Sequence, residues 1–184
     1  MSTIEPRQKL WTRREYRLAI DAGIFAGQNV ELMEGRILEM SPMNPRRAVA
    51  VQLVASALMN ALEDGYSVRV QLPMALGEES EPQPDVAVVI GQPRDYVTQH
   101  PTCAKLVIEI SDSSVIYDRT EKLSLYASSG VPEYWIVNLA DECLELYSQP
   151  CGHEYRRVHA FSKQETVPAS LPRTQSVAVA DLLP

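Results

Sequence analysis

A mixed α/β or α+β domain, one central sheet with helices on its faces, is the fold class this sequence predicts. Three observations carry it. Apolar residues recur at steps of three and four through Val49, Ala50, Leu53, Val54, Ala57, Leu58, Ala61 and Leu62. That stripe predicts an amphipathic helix over 46–64, ended by Gly65. Short apolar runs at 84–90, 106–110 and 133–138, bounded by turn residues, read as buried strands. Between the last two lies a helical segment, 115–129, with Gly130 as its cap and Pro132 just beyond. Strands joined across such a helix run parallel, through a right-handed crossover. Helices set among strands in this way cover a mixed sheet.

The remaining elements follow in chain order. Thr12-Arg13-Arg14-Glu15 has capping-box spacing, so a helix starts at Thr12 and stops near Gly23. Residues 30–40 read as a hairpin with Glu34-Gly35 at the turn, and Ser41-Pro42-Met43-Asn44-Pro45 then breaks regular structure. A strand is expected at 67–72, followed by a loop at 73–83 that its Glu and Pro content makes too polar to pack. Past a second polar loop and the strand–helix–strand unit, strands are expected at 142–148 and 155–161, with Ala140-Asp141 at the hairpin before the first. The tail, with Pro168, Pro172 and an apolar end at 177–183, is expected to pack on the outside. No repeat or internal boundary interrupts 1–184, which reads as one domain with its core at about 30–160.

Composition narrows the function classes. At 184 residues, 45% hydrophobic and 22% charged, the chain is long enough for one sizeable core. The amino-terminal segment lacks the apolar run of a secretory signal, and no stretch reaches membrane-spanning length. Cys103, Cys143 and Cys151 form no C-x-x-C pair, which argues against a disulfide framework or a zinc knuckle and for a reducing cytoplasm. A net charge of −7 argues against a basic nucleic-acid coat protein, but a local cleft and a bound metal still permit an enzyme acting on nucleic acid. Basic residues cluster early, at Arg7, Lys9, Arg13, Arg14, Arg17, Arg36, Arg46 and Arg47, where solvated helix faces are the simpler reading.

Three ionisable residues stand where charge is costly: Asp85, Glu109 and Lys122. If their strands are neighbours, the Asp85 and Glu109 carboxylates converge, and two such oxygen ligands suit a hard cation such as Mg²⁺ or Mn²⁺. Lys122 follows Glu109 by thirteen positions, so a helix folded back over the strand could bring its ammonium to the same place. There it could orient or help deprotonate an attacking water and stabilise phosphate charge. Each residue also has an ordinary reading. Asp85 can simply begin a strand after Pro84, Glu109 can lie on a solvated sheet face, and Lys122 can pair on a helix surface with Asp118. The residues alone leave both open.

The segments Pro84-Asp85, Leu106-Val107-Ile108-Glu109-Ile110 and Tyr117-Asp118-Arg119-Thr120-Glu121-Lys122-Leu123 together resemble the Uma-two family of prokaryotic restriction-endonuclease-like proteins, within the PD-(D/E)XK nuclease superfamily. Tyr126 to Val137, the hairpin Glu31 to Ile37 and Met40-Ser41-Pro42 extend the similarity, which covers about residues 12–160. The resemblance implies a restriction-endonuclease-like core, a central mixed sheet flanked by helices. It implies that Asp85 and Glu109 ligate Mg²⁺ or Mn²⁺, and that Lys122 supplies the catalytic lysine from the helix. The usual strand position for that lysine holds Ser111. Glu31 is a further acidic candidate, and Arg47 stands where relatives often carry histidine. The implied function is a Mg²⁺-dependent endonuclease on DNA, working as a cytoplasmic homodimer with no membrane association. Two alternatives remain: an inactive nuclease-fold module for binding or dimerisation, and a metal-dependent hydrolase of another phosphoester.

Overall fold

In a computed structural model, which describes residues 7–170 and 172–184, the chain forms a six-stranded mixed sheet flanked by helices. The first six residues of the segment read above as lacking a secretory signal lie outside the described residues. No helix among the described residues is long and apolar enough to cross a membrane.

Helix α1 (Arg13–Asp21) begins as its sequence predicts. The Thr12 hydroxyl accepts the Glu15 amide, and the Glu15 carboxylate accepts the Thr12 amide. Strands β1 (Val30–Met33) and β2 (Arg36–Glu39) form a separate antiparallel hairpin. Its turn needs left-handed backbone at both Glu34 and Gly35, and a Cβ on Gly35 would meet the Leu10 Cβ at 2.6 Å. Helix α2 (Pro45–Ala61) is capped by the Asn44 carboxamide, with Pro45 in its first turn.

The sheet runs β3 (Tyr66–Val70), β4 (Val86–Ile90), β5 (Leu106–Ser111), β6 (Glu133–Asn138), β7 (Cys143–Cys151) and β8 (Glu154–Ser162) in spatial order. Only β5 and β6 are parallel, as the crossover requires, and the other neighbours are antiparallel. Side-chain alternation splits the interior in two. Val86, Val88, Leu106, Ile108, Ile110, Trp135 and Val137 meet α2 on one face. Ala87, Val89, Val107, Tyr134 and Ile136 meet the crossover helix and the β1–β2 hairpin on the other.

Two expectations are corrected. The tail does not lie outside. Strands β9 (Thr166–Val167) and β10 (Val177–Ala178) pair, and Val167, Val177, Val179, Leu182 and Leu183 join the α2-face core. Arg173, buried there, lies 4.5 Å from the Trp135 ring and donates to Glu133. Nor is the 73–83 loop too polar to pack. Met74 and Leu76 are buried, and Glu81 adds to β1 by donating its amide to the Leu32 carbonyl while its carboxylate pairs with Arg17. The polar atoms of this loop find partners, which lets its apolar side chains go inside.

Candidate active site

The crossover helix is not one regular α-helix. Between α3 (Val115–Tyr117) and α4 (Leu123–Ser128) lies a π-helical turn, Asp118–Lys122, in which the Leu123 amide donates to the Asp118 carbonyl. The widened turn directs both Asp118 and Lys122 inward, and both are buried. The surface ion pair that spacing alone permits is thereby excluded.

The register of the sheet does the rest. Val86 pairs with Ile108, so Asp85, one residue earlier, falls opposite Glu109 on the face covered by the crossover helix. Asp85, Glu109 and Lys122 are 2%, 1% and 2% exposed, which sets Glu109 and Lys122 against their surface readings, while Asp85 stands at the entrance to β4 and is also buried. Lys122 Nζ sits 2.9 Å from Glu109 Oε2. The contact is a close ion pair between two buried side chains. The other carboxylate oxygen of Glu109 accepts from the Tyr126 hydroxyl at 2.7 Å.

Asp85 is held differently. Its Oδ2 accepts from Arg47 Nη2 at 2.8 Å and from the Ile110 amide at 2.9 Å, while Oδ1 accepts a longer bond of 3.3 Å from Gln71. Glu31, from β1, is buried beside this group and has an oxygen with no partner. The five residues singled out in the sequence thus meet in one place, on five different elements or their ends. Arg47 lines two adjoining openings. One, of about 330 Å³, also presents Ser41, Asn44, Ser114, Asp118 and Lys122. The other, of about 250 Å³, also presents Glu31, Gln71 and Asp85.

Electrostatics follow from crowding. Burial pushes the Glu109 carboxyl up to about 8, and Asp85, Asp118 and Glu31 add to the shift against the pull of Lys122. Burial likewise raises Glu31 and Asp118. For Lys122 burial alone would favour the neutral amine, but Glu109, Glu31 and Asp118 outweigh it and hold the group above its ordinary range. Lys122 is therefore a fixed ammonium. In that state it is suited to orienting a water and stabilising negative charge.

Four carboxylates surround two cations, so the fully ionised cluster is short of positive charge. A divalent cation would restore the balance. Among the described residues no three His, Cys, Asp or Glu side chains are gathered as a metal cage. The donors offered are two carboxylates from adjacent strands, Asp85 and Glu109, with Lys122 ion-paired to Glu109. That set fits Mg²⁺, which keeps most of its waters and uses one or two carboxylates.

Asp118, Tyr126 and Gln71 contact or line this group and were not singled out in the sequence. Tyr126 had a signal, its i+4 spacing from Lys122 on one helix. Gln71 and the inward turn of Asp118 had none. His100 is part-buried and His153 and His159 are exposed, and none of them lines the two openings at this group. The three cysteines are free.

Residues 14–180 match the family described as "Uma2: Putative restriction endonuclease". The chain belongs to the Uma2 family. Uma2 membership rests on a match across most of the chain, with the site residues inside it. Among solved structures, the fold is similar to a crystal structure described as "a putative nuclease belonging to DUF820" from Anabaena variabilis. The TM-score is 0.68 over 89% of this chain and 96% of that one, at 14% identity, which establishes a shared fold. No curated protein sequence matches this chain.

Proposed function

We propose that this Uma2 protein is a metal-dependent nuclease that hydrolyses phosphodiester bonds in DNA, with Mg²⁺ or Mn²⁺ held by Asp85 and Glu109. The observation that carries this reading is the buried cluster itself. Glu31, Asp85, Glu109 and Asp118 are enclosed with, among the described residues, Lys122 and Arg47 as their cations, an arrangement too costly to retain for stability alone. When bound, a divalent cation would polarise the scissile phosphate and lower the pKa of a coordinated water. The chain's own residues do the rest. Tyr126 fixes the Glu109 carboxylate by its hydroxyl, and the Ile110 amide fixes that of Asp85. Lys122, held as an ammonium, stabilises charge developing on the phosphate. The opening also presents the Ser41 hydroxyl toward the neighbouring phosphate oxygens, while the Ser114 hydroxyl is committed to Asp118 and Asn44 Nδ2 to Asp112. A homodimer belongs to the same reading and rests on the family resemblance, and a cytoplasmic location rests on the cysteine pattern.

The test is cleavage of supercoiled plasmid, duplex, single-stranded and RNA substrates with Mg²⁺, together with Mn²⁺ calorimetry. Wild type is expected to nick DNA and to bind Mn²⁺. Asp85→Ala and Glu109→Gln should lose both while keeping native circular dichroism, and chelation should silence the wild type. Cleavage that survives Asp85→Ala would overturn the assignment, and turnover confined to small phosphoesters would move the substrate class. A second reading, a non-catalytic nuclease-fold module, is favoured by the direct Arg47–Asp85 pair. It predicts no stoichiometric Mn²⁺ binding.

A further inference from the structure

We infer that Arg47 is a built-in counter-cation that a divalent metal must displace from Asp85, so that metal entry and release of the Arg47 guanidinium are one exchange. The inference rests on the metal-dependent reading above. Its starting point is the way Asp85 is occupied. Arg47 Nη2 and the Ile110 amide, at 2.8 and 2.9 Å, use both lone pairs of Oδ2. A metal on Oδ2 therefore needs Arg47 to leave. A metal on Oδ1, where Gln71 makes only a 3.3 Å bond, would place two cations on one carboxylate, and their repulsion drives the same departure.

Three observations say the exchange is built in rather than accidental. The Asp85 side chain is 2% exposed, so its charge needs a partner in the metal-free protein, and Arg47 is the cation within reach. Arg47 is not fully satisfied where it sits, since its Nε is buried without a hydrogen-bond partner. Finally, Arg47 lines both openings, so its guanidinium has room to move from the Asp85 side toward Ser114 and Lys122. Displaced there, it stands beside the Lys122 ammonium, where a phosphate would need positive charge. Metal and phosphate then favour each other's binding by reciprocal coupling.

The test is Mn²⁺ calorimetry, with thermal unfolding in the presence and absence of Mn²⁺, on wild type, Arg47→Met and Arg47→Lys. Losing a charge-assisted competitor should tighten Mn²⁺ binding by about tenfold or more in Arg47→Met, with Arg47→Lys between it and wild type. The metal-free Arg47→Met protein should melt lower, and Mn²⁺ should raise its melting temperature by more than it raises that of wild type. If Arg47→Met does not fold without metal, Arg47→Lys carries the comparison. Equal or weaker Mn²⁺ binding in the folded variants overturns the exchange and leaves the metal reading standing. An absence of Mn²⁺ binding in all three proteins overturns the metal reading and the exchange with it.

Discussion

Replacing Lys122 by Met removes the ammonium and keeps an apolar side chain of similar length, and its cost should depend on pH in a defined way. In the wild type Glu109 titrates at about 8, raised from its ordinary 4.5 by burial and by its acidic neighbours against the pull of Lys122. Without Lys122 that pull is gone, so the folded variant holds the Glu109 proton to higher pH. Below about pH 8 both folded proteins carry the proton, and the difference in stability is constant. It then reflects a lost charged contact, about 1–3 kcal/mol. Above that pH the folded wild type has released a proton that the folded variant still binds, while the unfolded chains are alike. Stability of the variant relative to wild type should therefore fall by up to about 1.4 kcal/mol per pH unit. By pH 9.5 the gap approaches the roughly 3–5 kcal/mol of a broken buried pair. Urea unfolding of both proteins from pH 6 to 9.5 measures it. A gap that stays flat or narrows above pH 8 would refute the assignment of the coupled pair. The same raised value gives the metal-free wild type a Glu109 contribution that is fully present below about pH 4.5 and lost as pH rises through about 8.

Two further substitutions probe the supports. Tyr126→Phe deletes the buried donor at 2.7 Å from Glu109 and should cost about 1–3 kcal/mol by urea unfolding, and a loss under about 0.5 would show that the bond contributes little. Arg173→Leu breaks the Glu133 pair and the Trp135 contact. A cost of about 2–4 kcal/mol is expected, below that of a fully buried pair because Glu133 is partly exposed. Limited proteolysis should then cut first within 168–184, and unchanged protection there would show that Arg173 does not anchor the tail.

Much of this protein was legible in the sequence because its signals are local. The Thr12–Glu15 capping box, the Glu34-Gly35 turn, the stripe of α2 and the β5–helix–β6 unit each depend on residues near one another. Asp85, Glu109 and Lys122 stood out for a similar reason, a charge set in an apolar run or brought back by a short crossover. What tertiary structure decided were relations between distant segments. A Pro-containing tail looks like an appendage until Arg173 finds Glu133 and Trp135, forty and thirty-eight positions away, and its apolar end can then enter the core. The polar loop at 73–83 packs only because β1 and Arg17 satisfy its Glu81. The π-turn that hides Asp118 has no sequence period of its own, and the Arg47–Asp85 contact joins residues thirty-eight positions apart. Burial of charge is a property of the whole fold. Sequence alone could mark which charges would be expensive, and only the packed sheet showed what each one is paired with.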